Sequence, residues 1–282
     1  MIIEKAYAKV NLFLNVLDKR KDGYHDLEML NAKIDLYDML EFGEIDCPNT
    51  VIIKSDDLFL SNQDNIVLQV AKYMLRNYNI KTGLEIKITK NIPFGAGLAG
   101  NSADSAAVIK GINKMYGLNL SIKEMIDIGV MFGADIPYCL FDTPAFVSSI
   151  GEVIEDFDLD LSDYKLLLIN PREFISTKEV FDFADKSNIK IKDINDLKAY
   201  CEHNDIKAIR ENVHNSLEEI VIKNYAFMEN FKNNLVAELG SIGLVMTGSG
   251  SSFIKILDKN EDVSDFISRY NDKYLIKMHN FL

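Results

Sequence analysis

Cysteine and histidine are too few and too scattered in this chain for a disulfide framework or a protein-built metal site. Cys47, Cys139 and Cys201 lie far apart, are odd in number and form no CxxC pair, which fits a reduced cytoplasm. His25, His203, His214 and His279 are equally dispersed and show no HExxH spacing. Positive charge is also in deficit. Thirty-one Lys and Arg against 43 Asp and Glu give a formal net charge of −12, and the lysines are scattered among acids. Such a surface repels a polyanionic backbone, so nucleic acid is not an expected partner. The start, Met1-Ile2-Ile3-Glu4-Lys5, has no apolar secretory core, and the longest charge-free stretch, around Gly240 to Ile254, is broken by Gly, Ser and Thr. No membrane association is expected, and the predicted location is cytoplasmic.

What is present is the composition of a globular enzyme, 48% hydrophobic and 26% charged. A length of 282 residues exceeds what one core usually fills, so two domains are expected. Ala8, Val10, Leu12, Leu14 and Val16 alternate with Lys9, Asn11, Phe13 and Asn15, which predicts a half-buried strand. Asp22-Gly23 is a turn signal, and the apolar pattern resumes from Tyr24 through Leu40. Asp64-Asn65 precedes a helical pattern carried by Ile66, Val70, Tyr73 and Met74, followed by a strand at Leu84, Ile86 and Ile88. A helix through Ala106, Ile109 and Ile112 stops at Gly117, and Ser121-Ile122-Lys123-Glu124 has the capping-box pattern that opens another, to about Phe132. The acidic segment Gly151 to Asp163 reads as the passage between domains. Beyond it come a strand at Tyr164 to Ile169, several helices, strands at Leu244 to Met246 and Phe253 to Leu257, a helix at Glu261 to Tyr270 and a strand at Tyr274 to Met278. That ordering is ferredoxin-like, with inserted helices.

Between a strand and a helix lies Pro93-Phe94-Gly95-Ala96-Gly97-Leu98-Ala99-Gly100-Asn101-Ser102-Ala103. Glycines let a main chain approach a ligand closely, and the free amides of a helix start point at a bound anion, so phosphate is the expected ligand. Gly95 to Gly100 matches GxGxxG, yet the preceding strand alternates apolar and polar residues, unlike the doubly buried first strand of a dinucleotide-binding fold. Walker A, HRD and DFG segments are absent. Lys9 could face an anionic transition state, although a lone strand lysine is normally solvated. Asp135, after Gly133-Ala134 and before Ile136-Pro137, is a catalytic base or a turn cap, with residue chemistry slightly favouring the cap. Tyr24-His25 sets an aromatic face beside a ring that donates and accepts hydrogen bonds. Met246 to Ser252 reads as a hairpin turn.

Together these segments resemble the GHMP kinases. Lys9 and Asn11 match the first-strand signature, Pro93 to Ala103 the phosphate loop P-x-x-x-G-L-x-x-x-S, and Thr247-Gly248-Ser249-Gly250 the C-terminal glycine motif. Ala8 to Leu12, Asp22-Gly23-Tyr24-His25 and Gly133 to Pro137 are similar to the branch that phosphorylates a cytidine-diphosphate sugar alcohol in the methylerythritol phosphate route of isoprenoid biosynthesis. The resemblance implies an α+β fold: a ribosomal protein S5 domain 2-like N-terminal domain over residues 1–160 and a ferredoxin-like C-terminal domain over 161–282, with the active site in the cleft between them. It implies Asp135 as the base and Lys9 as the stabiliser of nearby negative charge, with Asn11 positioning the acceptor. His25 would bond the cytosine edge, Tyr24 and Phe181 would stack on its faces, and Thr177 would contact the substrate phosphates. Asn65 would lie near adenine and Pro93 to Ala103 around the ATP phosphates, with Mg²⁺ bridging them. A monomer or weak homodimer acting on a small molecule is expected. The alternatives are a relative acting on a mevalonate- or homoserine-like alcohol, and a weakly catalytic nucleotide-binding paralogue.

Two departures touch the phosphate loop. Many members read Gly-Gly-Ser-Ser-Asp-Ala where this chain reads Gly100-Asn101-Ser102-Ala103-Asp104-Ser105. Asn101 adds a side chain where backbone approach is expected, and Ala103 removes a hydroxyl.

Overall fold

A computed structural model describes residues 2–55 and 65–282. Asp64, paired with Asn65 in the sequence reading, lies outside the described residues. In chain order the elements are β1 (Ile2–Lys19), β2 (His25–Ile45), β3 (Val51–Ser55), α1 (Ile66–Asn77), β4 (Gly83–Thr89), α2 (Gly100–Met115), α3 (Ile122–Val130), α4 (Ile136–Cys139), β5 (Ala145–Ser149) and β6 (Val153–Asp156). They continue with β7 (Tyr164–Asn170), α5 (Thr177–Ala184), α6 (Ile194–Glu202), α7 (Ile206–Glu211), β8 (His214–Asn215), α8 (Glu218–Asn224), α9 (Ala226–Leu239), β9 (Leu244–Met246), β10 (Phe253–Asp258), α10 (Ser264–Tyr270) and β11 (Leu275–Asn280). The chain divides into two compact units. The first comprises Met1–Lys9, Leu36–Phe94 and Ala99–Asp142, and the second Val10–Asp35, Gly95–Leu98 and Thr143–Leu282.

In the first unit β3 runs parallel to β4, and β4 pairs antiparallel with Met39–Ile45 of β2. Val67, Val70, Ala71 and Met74 recur at helical spacing, so α1 buries that stripe, and α2 likewise buries Ala106, Ile109 and Ile112. Each large aliphatic side chain so buried contributes about 1.5–3 kcal/mol. Gly111 of α2 makes room for Phe42 of β2, since a Cβ there would stand 2.4 Å from the ring. The expected capping box opens α3: Ser121 Oγ accepts from Glu124 N, and the Glu124 carboxylate accepts from Ser121 N at 2.8 Å.

In the second unit an antiparallel sheet has the order β11-β7-β10-β9. Numbered within this sheet the order is 4-1-3-2, that of a ferredoxin-like unit. Leu166, Leu167, Leu168 and Ile169 of its central strand are fully buried. The last helix starts at Ser264, three residues later than the pattern suggested, because Val263 is its first flanking position. Lys255 on β10 is buried, and its ammonium donates to the carbonyls of Leu239 at 2.7 Å and Ile242 at 2.6 Å. It thereby satisfies acceptors left over at the end of α9.

Leu27–Asn31 of β2 pairs with β5, and β5 with β6. The strand β6 occupies Val153–Asp156, inside the acidic segment Gly151 to Asp163, and the residues on both sides of it belong to the second unit. The expectation of a half-buried first strand needs correction. Lys9, Asn11, Phe13 and Asn15 are all buried along with the apolar face. Asn15 shows why: its amide nitrogen donates to Lys192 O at 2.7 Å and its oxygen accepts from Lys192 N at 3.1 Å, so distant chain covers the polar side. Period-two alternation cannot reveal such a cover.

Candidate active site

The decisive pair stands in the first unit. Lys9 Nζ lies 3.3 Å from Asp135 Oδ1, with the lysine side chain 5% exposed and the aspartate 40%. The lysine is therefore not solvated, and the carboxylate it faces remains open to a ligand. The reading of Asp135 as a turn cap is overturned: it precedes the single turn of α4, yet its side chain makes no capping hydrogen bond. A buried cation beside an accessible carboxylate can hold that carboxylate in place for proton transfer.

The glycine segment leads into α2 as expected. Ala99 takes a left-handed conformation at φ 55°, and no side chain caps the 16-residue helix that follows. Its first amides therefore remain available to an anion, which fits a nucleotide phosphate. Asn101 is exposed, whereas Ala103 is buried. Ser105 does not replace the hydroxyl missing at 103, because it is buried and donates to Asn101 O at 2.8 Å. At Gly97 the reason for glycine differs from the expected one. With φ at +72°, a Cβ there would meet Thr247 O at 2.3 Å, so the space is taken by protein.

A brace not anticipated from the sequence holds both ends of this segment. Asp38 Oδ1 accepts from the amides of Asn91 and Ile92 just before Pro93, while its other oxygen takes Lys90 Nζ. Lys90 Nζ also reaches Asp104 Oδ2 at 2.7 Å in the second turn of α2. Both carboxylates are fully buried. Burial pushes the Asp104 carboxyl up to about 7, with the Lys90 ammonium opposing the rise and Asp38 adding to it. Burial disfavours the Lys90 ammonium, but Asp104 and Asp38 outweigh it and hold its pKa above the ordinary lysine value.

In the second unit the hairpin loop between β9 and β10 is tied down from several sides. Asn11 N donates to Thr247 Oγ1 at 3.1 Å, Asn11 Oδ1 accepts from Gly248 N at 2.9 Å, and Asn11 Nδ2 donates to Asn31 Oδ1 at 2.6 Å. Asn215 adds bonds to Met246 O and Gly248 O. Thr177 Oγ1 lies 2.7 Å from Ser249 Oγ, linking the start of α5 to the same loop. Nothing local in the sequence points to the Asn31 and Asn215 contributions, which only the register of distant strands brings in.

His25 and Phe181 also meet in the second unit, with ring centroids 5.3 Å apart and planes at 36°. His25 is 8% exposed, and its Nε2 lies 2.8 Å from Asp185 Oδ1. Tyr24 stands outside this ring pair and is 57% exposed. Asn65, expected near adenine, caps α1 by accepting from Val67 N at 2.9 Å.

The sequence profile of the GHMP kinases N terminal domain matches residues 65–149. A 4-diphosphocytidyl-2-C-methyl-D-erythritol kinase of Clostridioides difficile strain 630 is 36% identical over 278 residues, covering 96% of this chain and 93% of its own length. The chain belongs to the 4-diphosphocytidyl-2-C-methyl-D-erythritol kinase family. A second member of this kinase family, from Thermoanaerobacter pseudethanolicus, is 38% identical over 259 residues, 91% of this chain and 88% of the relative. The fold of the family is shared with solved structures. A 4-(cytidine 5'-diphospho)-2C-methyl-D-erythritol kinase superposes with a TM-score of 0.76 at 23% identity over 99% of each chain. Homoserine kinase from Cytophaga hutchinsonii reaches 0.73 at 18% identity, over 97% of this chain and 94% of its own. Within that family fold, the Lys9 and Asp135 pair, the Asn11 ties and the His25 and Phe181 rings stand as described above.

Proposed function

We propose that this chain is an ATP-dependent kinase that phosphorylates the 2-hydroxyl of 4-diphosphocytidyl-2-C-methyl-D-erythritol in the methylerythritol phosphate route of isoprenoid (terpenoid) biosynthesis. Near full-length kinship with proteins of that name supports the acceptor. The observation that carries the chemistry is the Lys9–Asp135 pair at 3.3 Å, with its lysine buried and its carboxylate accessible. Asp135 takes the proton of the attacking hydroxyl, whose oxygen bonds to the γ-phosphorus as the bond to the leaving ADP oxygen breaks. Lys9 holds the carboxylate in place and stabilises the negative charge that develops nearby on the reacting oxygens.

ATP would supply the phosphoryl group, and Mg²⁺ held with its phosphates at residues Pro93 to Ala103 would neutralise their charge. The uncapped start of α2 and residues Pro93 to Ala103 offer backbone amides to those phosphates, with Asn65 near adenine. His25 bonds the cytosine edge, Phe181 and Tyr24 flank the base, and Thr177 contacts the acceptor phosphates. Asn11 acts by fixing the Thr247–Gly250 turn.

The test is phosphorylation by purified protein with ATP, Mg²⁺ and a panel of cytidine-diphosphate methylerythritol, mevalonate and homoserine. The cytidine compound should be preferred in kcat/KM by orders of magnitude. A comparable or better rate with mevalonate or homoserine would overturn the assignment.

A further inference from the structure

The His25 ring is gripped by one helix end. Phe181 lies in α5 and Asp185 follows at its C-terminal cap, four residues on, so ring and carboxylate project from the same face. Asp185 Oδ1 sits 2.8 Å from His25 Nε2, and its other oxygen pairs with the Lys19 ammonium. The hydrogen bond from Lys19, with His25 adding to it, holds the Asp185 carboxyl below the usual carboxylate range. An ionised carboxylate only accepts hydrogen bonds, so Nε2 must carry the ring proton. In the neutral ring, Nδ1 then presents a lone pair.

A fixed acceptor discriminates between pyrimidines. Cytosine carries an amino donor at C4, whereas uracil carries a carbonyl acceptor there. The lone pair can accept from the first, but against the second it leaves two acceptors facing each other. We propose that Asp185, by holding His25 with its proton on Nε2, makes this chain select cytosine over uracil in the nucleoside-diphosphate part of its acceptor. Asp185 is a positioning residue, and its role rests on the cytidine acceptor proposed above.

Asp185→Asn supplies an amide that can donate to Nε2, releasing the ring proton to Nδ1 and turning a fixed acceptor into a donor suited to uracil. The assay compares kcat/KM for the cytidine-diphosphate acceptor and its uridine counterpart at about pH 8.5, above the ordinary imidazole range. The wild type should favour cytidine by about ten- to hundredfold, the discrimination expected when a buried polar group loses its partner. In Asp185→Asn the preference should collapse at least about tenfold through the acceptor KM, with the KM for ATP unchanged. Lys19→Met, which leaves the His25 and Asp185 contact, should keep the preference. Nitrogen-15 NMR of the imidazole in the free protein gives a readout independent of turnover: Nε2 protonated in the wild type, with the balance moved toward Nδ1 in Asp185→Asn. An Nδ1-protonated wild-type ring overturns the inference, as does an Asp185→Asn enzyme that loses both acceptors equally. A wild type that does not phosphorylate the cytidine acceptor overturns the underlying assignment as well.

Discussion

Replacing Lys90 by Met tests how the ends of the glycine segment are held. The substitution keeps most of the stem and removes an ammonium that serves two fully buried carboxylates, Asp38 and Asp104. Breaking a buried ion pair by removing one partner costs about 3–5 kcal/mol, because the other charge stays buried without compensation. At about 2–4 °C per kcal/mol for a chain of this size, the melting temperature should fall by roughly 6–20 °C. The loss should also depend on pH in a defined direction. Burial lifts the folded-state value of Asp104 from its ordinary 3.8 to about 7, so the folded protein binds that proton more tightly than the unfolded chain does. The resulting stabilisation is complete below about 3.8 and is lost as pH rises through about 7. Without the ammonium that opposes the rise, the carboxyl is pushed higher still. Lys90→Met should therefore be penalised more at about pH 8.5 than at about pH 6, and adding Asp104→Asn should remove most of that difference. Calorimetric melting at the two pH values is the assay. A loss under about 2 °C at both, or one that does not change with pH, would show that the Lys90 ammonium does not hold these carboxylates.

Gly97→Ala should disrupt the glycine segment even without nucleotide, since its Cβ would stand 2.3 Å from Thr247 O at a positive φ; a variant with wild-type melting temperature and ATP affinity would contradict this. Lys255→Met should destabilise the second unit by about 2–5 kcal/mol, because the carbonyls of Leu239 and Ile242 lose a buried donor. Urea titration measures that loss, and an unchanged midpoint would show that these carbonyls find another partner.

How much of this was legible in the sequence depends on how far apart the partners lie. Ser121 and Glu124 announced their capping box because both members fall within one turn. The glycine segment announced itself by composition, and the strands β7, β9, β10 and β11 by periodicity. The second role of Gly97 was hidden, because its neighbour Thr247 is 150 residues away. The joining of Lys90, Asp38 and Asp104 was hidden, since nothing local reports that β2, the end of β4 and α2 converge on one buried point. Asp185 was invisible for the same reason: its meaning comes from His25, 160 residues earlier. Asp135 was ambiguous between base and cap until its missing capping bond and its lysine partner decided against the cap.

The proposed role of Asp135, held by Lys9, is to remove the proton from the acceptor hydroxyl. The most direct measurement is kcat for cytidine-diphosphate methylerythritol in the wild type and in Asp135→Asn, with ATP affinity followed by calorimetry in the same preparations. The substitution keeps the shape of the side chain and removes its basicity. Asp135→Asn should lower kcat by about 10²–10⁴-fold with ATP binding nearly intact. A folded Asp135→Asn enzyme that keeps most of its kcat would contradict it.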